Sequence, residues 1–142
     1  MNSTMMKSAI LFLCVSIMGV FMFSCQEIYE IDAIEGNWKV TSMKDVSEFE
    51  EGPNFLINLK TMKIAGFSGC NRFFGNIKVD KKNKLTFKNM GGTRKMCGNI
   101  KVENMFITLI SKIEAFKFNK NKLQFLSESG DVLMTMKATE VE

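Results

Sequence analysis

The chain has 142 residues, enough for one domain. Nearly half are apolar, which excludes a disordered chain. The net charge of +4 comes from lysines scattered along the sequence, which argues for solubility and against a nucleic-acid surface. There is no histidine, so the usual catalytic triads and histidine-based metal sites are excluded.

Met5-Met6-Lys7 lead into an apolar run from Ala9 to Phe23, the pattern of a secretory signal. The run ends at Met22-Phe23-Ser24-Cys25, which resembles the lipobox of a bacterial lipoprotein. Residues 1–24 therefore read as a lipoprotein signal peptide and Cys25 as the lipidation site. Residues 25–34 read as an acidic tether. A single membrane-spanning anchor is the alternative, since the run is about long enough to cross. Against it, the run stops at Ser24-Cys25 and no Lys or Arg follows until Lys39. An acylated Cys25 would anchor the protein by its lipid while leaving the domain in water. Gln26, not Asp, follows Cys25. The expected location is therefore the outer membrane, with the domain in the periplasm or at the cell surface.

The domain, residues 35–139, opens at Gly36-Asn37-Trp38. Trp38, Val40 and Ser42 alternate with polar residues and predict a half-buried strand. A polar loop over 45–54 contains the acids Asp45, Glu48, Glu50 and Glu51, which read as a solvated surface. Phe55, Ile57 and Leu59 predict a second strand. Met62, Ile64 and Gly66 predict a third after a tight turn at Lys60-Thr61. Ile77 and Val79, then Leu85 and Phe87, predict a hairpin across the turn from Asp80 to Asn83. Val102, Met105, Phe106, Leu109, Ile110 and Ile113 recur with helical spacing, and Gly98 or Asn99 is placed to cap that helix. Three alternating segments close the chain: Phe116/Phe118, Leu123/Phe125 and Val132/Met134/Met136, with turns at 119–122 and 129–131. The fold class is mainly β (α+β): a small, curved antiparallel sheet or barrel with one packed amphipathic helix.

Four cysteines occur. Cys14 leaves with the signal and Cys25 takes the lipid, so Cys70 and Cys97 remain as a pair in an oxidising compartment. There is no CxxC spacing, and two sulfurs cannot complete a zinc site, so a structural disulfide is expected. It would close a loop of roughly 28 residues and contribute about 3–4 kcal/mol in the chain-entropy model. Each cysteine sits beside glycines and one of the chain's two arginines, in Gly69-Cys70-Asn71-Arg72-Phe73-Phe74-Gly75 and Gly91-Gly92-Thr93-Arg94-Lys95-Met96-Cys97.

These paired motifs, with Trp38 at the first strand and Glu103 and Phe106 in the helix, resemble the META domain family of HslJ-like heat-inducible envelope lipoproteins. The resemblance runs from about Glu35 to Ala138. It implies a mainly β, barrel-like domain with a packed helix, in envelope lipoproteins linked to stress or antibiotic tolerance. It implies no catalytic activity.

The residues agree with a non-enzyme. Ser68 and Ser129 have no base at recognisable spacing, and no cofactor-binding pattern is visible. Arg72 and Arg94 are expected to brace the two glycine-rich segments, with Glu103 as the partner of Arg94. The sharper alternative is an anion or carboxylate site beside the disulfide. Asn71 is expected to shape a turn, since Asn tolerates positive φ. Phe73 and Phe74 are adjacent in a strand, so one must face outward or into a cavity. Two functions fit: binding or supporting another envelope component, or carrying a small apolar ligand or lipid inside the β structure. An open interior lined by Phe and Met would fit the carrier. A filled interior with an exposed patch near Phe73 would fit a protein partner.

Overall fold

The computed structural model describes residues 31–98 and 100–140. The expected signal peptide, the expected lipidation site Cys25 and most of the expected tether lie outside them. Among the described residues eight strands form one antiparallel sheet: β1 (Gly36–Met43), β2 (Asn54–Asn58), β3 (Lys63–Phe67), β4 (Arg72–Val79), β5 (Leu85–Gly92), β6 (Ala115–Asn119), β7 (Lys122–Leu126) and β8 (Val132–Ala138). Among the described residues one α-helix, α1 (Lys101–Ile110), lies between β5 and β6 in sequence. The strand order is β5-β4-β3-β2-β1-β8-β7-β6. Two meanders are thus joined by the pairing of β1 with β8, and the sheet curls into a half-barrel. Among the described residues, no helix is long and apolar enough to cross a membrane.

Alternation along the strands turns one row of side chains inward, as in β4, where Phe73, Gly75 and Ile77 are buried and Phe74, Asn76 and Lys78 are exposed. The interior is filled. Phe125 of β7 stacks on Phe55 of β2 at 5.8 Å and meets Phe87 of β5 at 5.6 Å, contacts that bridge opposite arms of the curl. Phe125, Ile57, Leu85, Leu123 and Met136 have no measurable exposure. Burying each such side chain stabilises the fold by roughly 1.5–3 kcal/mol.

The two outer strands, β5 and β6, meet at one end alone. The Leu85 amide donates to the Glu114 carbonyl at 3.0 Å and the Phe116 amide to the Asn83 carbonyl at 2.9 Å. Beyond Leu85 the sheet edge is open, and α1 covers the gap, packing Phe106, Leu109 and Ile110 onto the core.

Several local expectations shift. In β1, a bulge between Val40 and Ser42 changes the phase, so that Met43 rather than Ser42 points inward. Met62 is a turn residue with φ +53°, not part of β3. At the start of β8, an irregularity against β7 leaves Val132 exposed and buries Leu133 instead. The helix ends at Ile110, one turn earlier than its apolar stripe, and Ile113 reaches the core from the following turn. Its N-cap is Ile100, with no side-chain cap, so Gly98 does not serve; Asn99 lies outside the described residues. Ile34, read as tether, is fully buried in a short 3-10 turn, Asp32–Ile34, and its carbonyl accepts the Trp38 indole N–H at 2.9 Å. An indole buried this deeply needs an acceptor, and the last tether residues supply it.

Candidate functional site

At the open end of the seam, three segments converge: the loop before β4, the stretch after β5 and the first turn of α1. Gly69 lets the loop come close. Its φ is +107°, and a Cβ there would sit 2.7 Å from Cγ1 of Val102. This approach brings Ser68 and Asn71 against Glu103. The Ser68 hydroxyl lies 2.8 Å from Glu103 Oε1 and 2.8 Å from the Asn71 carbonyl, so its one proton faces two acceptors. Asn71 Nδ2 donates to Glu103 Oε2 at 3.0 Å. Asn71 Oδ1 accepts from the Lys95 amide at 2.6 Å and from the Thr93 hydroxyl at 2.8 Å. The Lys95 amide can only donate, which fixes the orientation of the Asn71 side chain. Asn71 therefore ties all three segments together. It does not adopt positive φ; Gly69 does that work, and Asn71 acts through its side chain.

Glu103 is 5 % exposed. Its carboxyl is engaged by neutral donors, and no ion pair with Arg94 forms among the described residues; Arg94 is exposed. That corrects the expected bracing pair. Bringing a guanidinium into so buried a position costs its hydration, whereas a hydroxyl and an amide satisfy the carboxyl at a smaller desolvation cost. The Cys70–Cys97 disulfide, with Cα atoms 6.1 Å apart, joins the same two segments from the other side.

Beyond this network lies a groove of about 530 Å3 between the end of β5 and α1. It contains all five residues singled out in the sequence: Asn71, Arg72, Phe73, Arg94 and Glu103. Phe73 and Phe106 pack at 5.0 Å in its floor. Met90 leans over Gly75, where a Cβ would collide with its sulfur, and forms part of the wall. Met90, Met96, Ile100 and Ile107 all line the groove and all are substantially exposed, Met96 completely. Arg72, Arg94 and Lys95 stand exposed around it. Phe74, 60 % exposed, is the outward member of the phenylalanine pair and lies on the opposite face, over Gly91. The sequence reading missed Ile100 and Ile107 as groove residues. Ile107 carried a signal: it is apolar but off the buried stripe of its helix.

Glu48, Glu50 and Glu51 line a separate crevice beside the disulfide. Among the described residues, no group of three His, Cys, Asp or Glu could hold a metal ion. Ser68 is 1 % exposed and its hydrogen bonds are internal.

The fold is similar to that of a protein from Burkholderia xenovorans solved by NMR, with 19 % identity and a TM-score of 0.61, over 79 % of this chain and 88 % of that one. It is also similar to a DUF4847 family protein from Bacteroides vulgatus solved by crystallography, with 14 % identity and a TM-score of 0.56, over 80 % of this chain and 99 % of that one. At these identities the likeness concerns the fold alone. No curated protein matches the chain. The META domain model matches residues 31–140, and with the curled sheet, the packed helix and the paired cysteine motifs in view, the chain belongs to the META domain family.

Proposed function

We propose that this is a non-catalytic binding module of a lipid-anchored bacterial envelope protein, and that it holds a protein partner in the groove between β5 and α1. One observation carries the reading: the interior of the half-barrel is packed with side chains, while four large apolar residues stay exposed around a groove floored by Phe73. Exposing Met90, Met96, Ile100 and Ile107 together is unfavourable unless something covers them. Two of the four are methionines, whose flexible side chains adapt to a docking surface. A carrier of apolar ligands needs an enclosed cavity, and aromatic contacts fill the centre here. The lipid on Cys25 would keep the groove at the outer membrane, where the family's link to stress or antibiotic tolerance would be exercised.

A photo-cross-linking residue at position 107, compared with one at Leu56 on the outer sheet face, tests this in intact cells. Cross-links to a defined protein from position 107 alone are expected. Equal capture from both positions, or from 56 alone, overturns the assignment of the groove. Replacing Cys25 with Ser should abolish fatty-acid labelling and release the protein from the membrane fraction; unchanged labelling removes the anchor from the proposal.

A further inference from the structure

From the charges around the groove, and resting on the reading that it is a docking site, we infer that its occupant is an acidic segment of a partner protein that also carries apolar anchors. Three exposed cations, Arg72, Arg94 and Lys95, line the groove. Among the described lining residues the one acid, Glu103, is buried, with its oxygens bonded to Ser68 and Asn71. Among the described residues that line the groove, no exposed acid balances the cations, so the charge of this lining favours an anionic ligand. The same groove is lined by Met90, Met96, Ile100 and Ile107. A ligand complementary to this surface places carboxylates around apolar side chains that enter the groove. Both arginines present planar, multi-donor groups suited to carboxylates. Among the described residues neither guanidinium is taken: Arg94 makes no ion pair with Glu103, and the Arg72 contacts to Thr93 are made by its backbone, the amide donating to the Thr93 hydroxyl at 3.1 Å and the carbonyl accepting from the Thr93 amide at 2.9 Å.

Shape separates a protein segment from a charged membrane. The apolar surface is concave, with Phe73 and Phe106 at its base. A flat bilayer surface does not enter a crevice, whereas a protruding segment does.

Selection of displayed random peptides on the full-length protein in detergent tests this. The variants are Ile107→Asp and the triple Arg72→Gln/Arg94→Gln/Lys95→Gln. All four positions are exposed, and matching circular dichroism spectra establish that the variants fold. The expected peptides combine Asp or Glu with Leu, Phe or Met. They bind roughly tenfold more weakly to the triple variant, weaken as salt is raised, and are lost on Ile107→Asp. Neutral or basic peptides that bind the wild type and are lost on Ile107→Asp overturn the acidic partner while leaving the groove as a docking site. Peptides indifferent to Ile107→Asp overturn the docking site itself. If phosphatidylglycerol vesicles bind in a manner abolished by the triple variant, and no acidic peptide is selected, the cations serve a membrane and the inference fails.

Discussion

The two ends of the gap between β5 and β6 are held by different means. Near Lys84 and Ala115, backbone meets backbone, and two amide-carbonyl bonds close the curl. Near Gly92 and α1, the strands have parted, and closure falls to Ser68, Asn71, Thr93, Glu103 and the Cys70–Cys97 disulfide. Backbone closure makes few demands on residue identity, because every residue but proline carries the same donor and acceptor. Side-chain closure demands particular residues at particular places. The chain's most distinctive motifs therefore lie at the open end, and the groove lies there too, because a seam held by side chains leaves room that a continuous ladder would fill.

Substitutions should separate the two ends. Asn71→Leu has the largest expected effect, a loss of about 3–5 kcal/mol, because it leaves the buried Glu103 carboxyl and the Lys95 amide short of partners at once. Urea denaturation measures it, and a loss below about 1 kcal/mol removes Asn71 from the centre of the network. Replacing Cys70 and Cys97 together with Ser should cost about 3–4 kcal/mol. Hydrogen exchange should then quicken over 93–98 while the Leu85 and Phe116 amides at the stitched end keep their protection; equal loosening at both ends denies the distinction. Arg94→Met should leave stability within about 0.5 kcal/mol, since its side chain stands in solvent. A large loss there would restore it as a brace.

The smallest effect lies in the β4–β5 turn beside the stitched end. The Lys82 amide, 2.8 Å from Asp80 Oδ1, does most to hold the Asp80 carboxyl below the ordinary aspartate range, partly opposed by desolvation and aided by the Lys84 amide. A lowered folded-state value means that the turn's contribution is complete above the ordinary range and is lost as pH falls through the lowered one. An NMR titration of Asp80 should give a midpoint below that of an unstructured peptide, and Asp80→Asn should remove this pH dependence and leave the groove unchanged.

Alternation made the strands legible, because a sheet buried on one face writes a period of two into its residues. It failed at Ser42, Met62 and Val132, where bulges and a left-handed turn residue break the period. Those irregularities depend on how the sheet curls, which a local pattern does not contain. The five singled-out site residues do come together, because cysteine and glycine spacing marks close approaches. The pairing among them was not legible. Opposite charges at Arg94 and Glu103 invite an ion pair, yet Glu103 stands three residues before Phe106 and seven before Ile110, on the buried face of α1. Read for burial before charge, that position calls for neutral donors, and Ser68 and Asn71 supply them.

The pairing of β1 with β8 has a consequence in time. It sets Trp38 opposite Ala138, the first strand against the last, at the middle of the sheet. A chain emerging from its N-terminus can assemble β1 to β5 early, but β1 then waits as an open edge until the final strand arrives. Such distant pairings slow folding, and unpaired strand edges recruit other chains. A chain stopped short of Val132 keeps β1 and β7 exposed indefinitely, so C-terminal truncation should produce aggregates and not a smaller domain.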